Sequence, residues 1–158
     1  MGVRGHENGI YCIPFVGVIK CSRVNKILQK DCEMNRDLEV VVVDDEKPIT
    51  EILSTFIPLV SRGVQIHTFN DSAVAKEFIS HNLVDVLITD YKMPRVDGLQ
   101  LVESAPAQVR KVIISGYVSD ISEEKLQKLN ATYFEKPVIL PALAKVISEQ
   151  QMQLHSDL

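Results

Sequence analysis

Four apolar, β-branched runs in this chain each stop at a residue that can do chemistry: Asp44-Asp45, Asp90, and Ser115 and Lys136. Residues 38–43 (LEVVVV) are interrupted by Glu39 alone, which is how a parallel strand buried on both faces reads. Residues 84–89 (VDVLIT) and 111–115 (KVIIS) have the same character, and 132–134 form a brief fifth run. Residues 64–69 (VQIHTF) alternate instead, as expected of a strand at the sheet edge, where His67 is an ordinary edge residue.

Between these runs the spacing changes to that of helices. Pro48 opens the first, with Ile49, Ile52, Leu53, Phe56, Leu59 and Val60 on one stripe, and Pro58 is expected to kink or shorten its last turn before Gly63. Asp71 or Ser72 caps a second helix carrying Val74, Ala75, Phe78 and Ile79. Asp97-Gly98 makes the turn and cap of a short third helix over 99–104, which must stop before Pro106. A polar fourth helix is predicted over 120–129 and a fifth over 139–150.

Five β-α repeats define an α/β class, because parallel neighbours need right-handed crossovers. The expected architecture is doubly wound, with a five-stranded parallel sheet in the order 2-1-3-4-5 and helices on both faces. The divisions expected are an extension over 1–37, one domain over 38–152 and a tail over 153–158, which holds His155. A chain of 158 residues has no room for a second large domain.

Charge narrows the partners. Residues 1–37 carry six Lys/Arg against four Asp/Glu, and residues 38–158 carry eleven against seventeen. An acidic body argues against a nucleic-acid surface, which needs clustered Lys and Arg. Cys12, Cys21 and Cys32 all fall in the extension without histidines at zinc spacing, so neither a metal nor a disulfide is read there. A cytoplasmic location is expected on the same ground. The apolar stretch 10–19 is about half the ~20 residues a bilayer span requires and contains Pro14 and Gly17, so no membrane span is read. Met34, four residues before the first strand, is a natural start of translation, and peptides from residues 4–20 in the native protein would exclude that start.

In a parallel sheet the four polar strand ends meet along one edge, where α/β proteins bind ligands. Two acids, a further carboxylate, a hydroxyl and an ammonium together suit a divalent cation and a phosphoryl group. Taken singly each has a plain structural reading: Asp44-Asp45 as a solvated turn, Asp90 as a cap, Ser115 satisfying a strand end, Lys136 as surface, Tyr133 as core. Their coincidence on four strands is what carries weight.

These residues resemble the receiver domain of two-component response regulators across nearly all of 38–150. The carriers are Asp44-Asp45, Asp90 in TDYKMPRVDG, Ser115 in IISGY and Lys136-Pro137 after Tyr133. The resemblance implies the flavodoxin-like receiver fold, with Asp90 as phosphoacceptor from a sensor histidine kinase or histidine phosphotransfer protein and Mg²⁺ as cofactor. It implies metal binding by Asp45, Asp90 and the backbone carbonyl of Lys92, with Asp44 acting through water, and contacts to the phosphoryl oxygens from Lys136 and Ser115. Ser115 and Tyr133 would form the switch, Pro94 and Gly98 would shape the loop, and the Lys136-Pro137 bond would be cis. Lys92 and Tyr117 flank the path of attacking water, and Gly116 leaves room beside the site. The expected protein is a stand-alone receiver that is not itself an enzyme. It would act on a downstream effector protein and could form a homodimer through the face of helix four, strand five and helix five. Two other readings stay open: a phosphate-independent binding module on the same fold, and an aspartate-nucleophile phosphohydrolase. The second usually has another aspartate two residues after the nucleophile, where this chain has Lys92.

Overall fold

The computed structural model describes residues 36–116 and 122–156. The extension cysteines, Met34 and Tyr117 lie outside the described residues. The strands are β1 (Leu38–Val43), β2 (Val64–Phe69), β3 (Val86–Asp90), β4 (Arg110–Ser115) and β5 (Ala131–Glu135), all parallel in the order β2-β1-β3-β4-β5. The helices are α1 (Lys47–Val60), α2 (Ser72–His81), α3 (Gly98–Ser104), α4 (Glu123–Lys128) and α5 (Leu140–Ser156).

Alternating residues of the central strands feed two cores. Val40, Val42, Ile88, Val112 and Ile114 pack with Leu53 and Ile57 of α1 and Leu143 and Ile147 of α5. Val41, Val43, Leu87 and Ile113 pack with Ala75 and Ile79 of α2 and Leu101 and Val102 of α3. This two-faced burial explains why β1 and β3 read as largely apolar runs rather than alternating ones. At the edge, His67 of β2 meets Glu39 at 2.8 Å and lies 4.8 Å from the ring of Phe78.

Several boundaries differ from the sequence reading, each for a tertiary reason. Asp85 is withdrawn from β3 because its carboxylate receives both guanidinium nitrogens of Arg36 at 2.7 Å and the Glu39 N–H at 2.8 Å. The described unit thus includes Arg36, two residues before the expected start at 38. The tail expected over 153–158 is helical through Ser156, because Leu154 packs on the first core and Gln151 donates to the Arg62 carbonyl. Pro58 lies in the last turn of α1, where it denies the Ser54 carbonyl its helical N–H; the helix ends two residues later, and Ser61 N–H closes it on Ile57. Asp71 is the cap of α2, accepting from Ala73 N–H. Ser122 caps α4, so the first described turn of that helix begins at Glu123. No described helix is long and apolar enough to cross a membrane.

Candidate functional site

Every strand whose carboxyl end was expected to carry chemistry delivers its residue to the same rim. Asp44 follows β1, Asp90 ends β3, Ser115 ends β4 and Lys136 follows β5. The register sets Asp90 opposite Ile114 and Ser115 opposite Glu135, so these side chains stand within one residue step of each other across the sheet. The Lys136 N–H donates to the Ser115 carbonyl at 2.7 Å, joining the last two strand ends past the ladder.

One ammonium organises the acids. Lys136 Nζ lies 2.8 Å from Asp90 Oδ1, 3.1 Å from Asp44 Oδ2 and 3.6 Å from Glu46 Oε1. The second oxygen of each buried carboxylate takes a backbone donor: Glu46 N–H to Asp44 Oδ1 at 2.8 Å, and Lys92 N–H to Asp90 Oδ2 at 2.9 Å. Asp44 is 2% exposed and Asp90 7%. Burial works against the Lys136 charge, but the two carboxylates outweigh it and hold the ammonium above the usual lysine range. For Asp44 the balance is opposite: burial pushes its carboxyl up despite the Glu46 N–H and Lys136, and the charge of Asp90 adds to the push. The two directions are compatible, since one half-buried lysine gains from two acids while the more deeply buried acid shares its one cation.

Asp45 is exposed beside this pair. Among the described residues no three His, Cys, Asp or Glu side chains converge closely enough to hold a metal. Two converging carboxylates served by one ammonium nevertheless leave excess negative charge in a buried setting, and Mg²⁺ takes one or two carboxylates together with retained waters. The donor chemistry fits such a hydrated ion.

A stability prediction arises here. Asp44→Asn is expected to stabilise the metal-free protein by about 1 kcal/mol, because a poorly compensated buried charge is removed. The sign with pH follows from the raised pKa of Asp44. As pH falls from neutral toward the ordinary aspartate value of 3.8, the native carboxyl protonates before the unfolded one, so wild type regains stability in that window. The asparagine variant should lack that gain. Urea midpoints at neutral and acidic pH, compared between the two proteins, check both statements, and a lower midpoint for the variant at neutral pH would refute them.

Two buttresses were not singled out in the sequence. Asn70 Nδ2 donates to the Asp44 carbonyl at 2.7 Å and to Thr50 Oγ1 at 3.1 Å, fixing the turn after β1. Its signal was available, since Asn70 directly follows β2 as the other polar residues follow their strands. Glu46 carried no such signal, because its role depends on Lys136 arriving from 90 residues later. Gly116 has open space where a side chain would stand, Tyr133 packs partly buried on the second core, and the Lys136-Pro137 peptide is cis.

The family model described as the response regulator receiver domain matches residues 40–148. The chain belongs to this family. The receiver is 29% identical over 123 residues to the sensor histidine kinase RcsC of Salmonella typhi, covering 75% of this chain and 13% of that protein. It is 32% identical over 125 residues to the transcriptional regulatory protein HptR of Staphylococcus aureus, covering 73% of this chain and 50% of that one. The receiver therefore spans half or less of these curated relatives. In fold it matches the crystal structure of a CheY-like response regulator receiver domain protein from Methanospirillum hungatei JF-1, with a TM-score of 0.67 and 20% identity over 77% of this chain and 98% of that one. As a receiver it is a signalling domain of two-component systems, and aspartyl phosphate chemistry belongs to the family.

Proposed function

We propose that Asp90 is the phosphoacceptor of this receiver. The observation that carries the proposal is the placement of its carboxylate: at the end of a central strand, with one oxygen on the Lys136 ammonium and the other on the Lys92 N–H, facing Asp44. A carboxylate oxygen of Asp90 forms a bond to phosphorus, and the bond from phosphorus to the donor's histidine nitrogen or acyl oxygen breaks, the leaving group keeping the electron pair. Little covalent work falls to the protein. Its task is to place the acceptor and neutralise charge gathering on the phosphoryl oxygens.

Lys136 already sits against Asp90, so it meets the transferred group without a long excursion and supplies a compact positive charge. Ser115, on the adjoining strand end, donates its hydroxyl to a phosphoryl oxygen. Mg²⁺ would be held by Asp90 and the Lys92 carbonyl, with Asp44 acting through a retained water and Asp45 turned in from its exposed position, and it would supply further positive charge. Phosphorylation draws Lys136 and Ser115 toward the new group, and Tyr133 repacks on the second core. The face of α4, β5 and α5 reports that change to an effector protein or to a second copy.

The donor is a histidine-bearing kinase or phosphotransfer protein, and the α1 side of the rim suits its docking. There a groove of about 470 Å³ is lined by Ile49, Ile52, Leu53, Pro137, Val138 and Leu140 together with Lys136. Ile52 and Ile139, at 54% and 69% exposure, leave apolar surface next to the acceptor for a partner's apolar side chains.

Incubating wild type with acetyl phosphate and Mg²⁺ tests the reading. The expected result is a mass gain of one phosphoryl group, labile to hydroxylamine and mapping to the peptide that contains Asp90. No gain would favour the phosphate-independent module, and a stable modification at another residue would overturn the assignment.

A further inference from the structure

The loop that presents Asp90 is gripped by a helix that contributes nothing to the acid cluster itself. Ser72, in the first turn of α2 and 4% exposed, donates its hydroxyl to the Pro94 carbonyl at 2.9 Å and accepts from the Val96 N–H at 3.3 Å. Between those two contacts lies Arg95, whose backbone is left-handed at φ 70°. Its guanidinium reaches back to Asp71 Oδ2 at 2.6 Å, and Asp71 is the cap of the same helix. Residues 94–96 are thus held from both sides by the start of α2.

What the grip fixes is close to the acceptor. Lys92 lies two residues before Pro94, and its N–H holds Asp90 Oδ2. On the other side, Tyr91 is pinned by its N–H on the Ile114 carbonyl and by the Gly98 N–H on its own carbonyl, both at 2.9 Å. Farther along, the Val96 N–H meets the Pro94 carbonyl at 2.9 Å within the loop itself, and the Ser72 hydroxyl ties both of those residues to α2.

We infer that Ser72 is a positioning residue for phosphoryl transfer, with the Asp71–Arg95 pair as its second support: together they set the loop so that the Lys92 N–H orients the Asp90 carboxylate. This rests on Asp90 being the phosphoacceptor. Misplacing a reacting group by about 1 Å can cost on the order of a hundredfold in rate, so a loosened loop should be visible in the kinetics.

The test is the rate of phosphate incorporation from fixed acetyl phosphate and Mg²⁺, read by intact mass, with thermal unfolding followed in parallel. Ser72→Ala is expected to slow incorporation about tenfold, and Ser72→Thr, which keeps the hydroxyl, to regain most of the wild-type rate. Ser72→Ala reacting at the wild-type rate would overturn the inference, and so would Ser72→Ala and Ser72→Thr being equally slow, since packing rather than the hydroxyl would then matter. Should Ser72→Ala not fold, Arg95→Asn serves in its place: asparagine tolerates the left-handed backbone while removing the ion pair. That variant is expected to be at least twofold slower, and a wild-type rate from it would overturn the inference. Wild type left unlabelled would remove both this inference and the assignment of Asp90; wild type labelled with unchanged variants would remove this inference alone.

Discussion

Asp90→Asn is expected to abolish acyl phosphate formation while leaving the fold in place. The amide has the shape of the carboxylate but neither its charge nor its nucleophilic oxygen, so the bond to phosphorus cannot form. Its remaining oxygen can keep one of the two contacts now made to Lys136 and the Lys92 N–H, and its NH₂ group must face the other donor. That lost hydrogen bond costs about 1 kcal/mol, and relief of repulsion with Asp44 works in the opposite direction. The net change in stability should therefore stay within about 1 kcal/mol. Intact mass after acetyl phosphate treatment, beside a urea melt, reads both outcomes. A variant that still gains a phosphoryl group at the wild-type rate would refute the assignment.

Gly98→Ala is expected to destabilise the domain strongly. Gly98 is needed here for space: an added Cβ would stand 2.0 Å from the Asp90 carbonyl oxygen and 3.0 Å from the Tyr91 Cα. Both obstacles are backbone, so no side chain can swing aside. The start of α3 is itself fixed by a capping box between Asp97 and Gln100, with Gln100 N–H on Asp97 Oδ1 at 2.7 Å. The strain must be released by moving the end of β3 or the whole short helix, at about 3 kcal/mol. Because the displaced backbone is that of Asp90, phosphorylation should slow together with the loss of stability. An unchanged urea midpoint for Gly98→Ala would show that the close approach is relieved at no cost.

The fold was legible because strands buried on both faces leave nearly continuous apolar runs, as 38–43 does with Glu39 alone inside it, and because an edge strand such as VQIHTF leaves an alternating one. The site was legible for a related reason: in a parallel sheet all carboxyl ends lie on one side, so Asp44, Asp90, Ser115 and Lys136 could be placed together from strand order alone. What depended on contacts between distant segments was harder to see. Ser72 read as a candidate cap, and nothing in its neighbourhood announced that its hydroxyl would seize a turn 22 residues later. Lys111 read as the polar start of a strand, yet it is buried with Nζ on the Pro106 carbonyl at 2.8 Å, and burial holds its ammonium below the usual range. The last turns of α5 were missed because QMQLHS is polar by composition, and what keeps it helical is distant in sequence: Leu154 on the first core and Gln151 on the Arg62 carbonyl.

The twin bonds from Arg36 to Asp85 have a bearing on how the molecule is approached. They moor the polypeptide at the blunt pole of the sheet, a full strand length from the carboxylates. A change at Arg36 would therefore act on the far pole of β1 and leave the hydrogen bonds of the acid rim as they are.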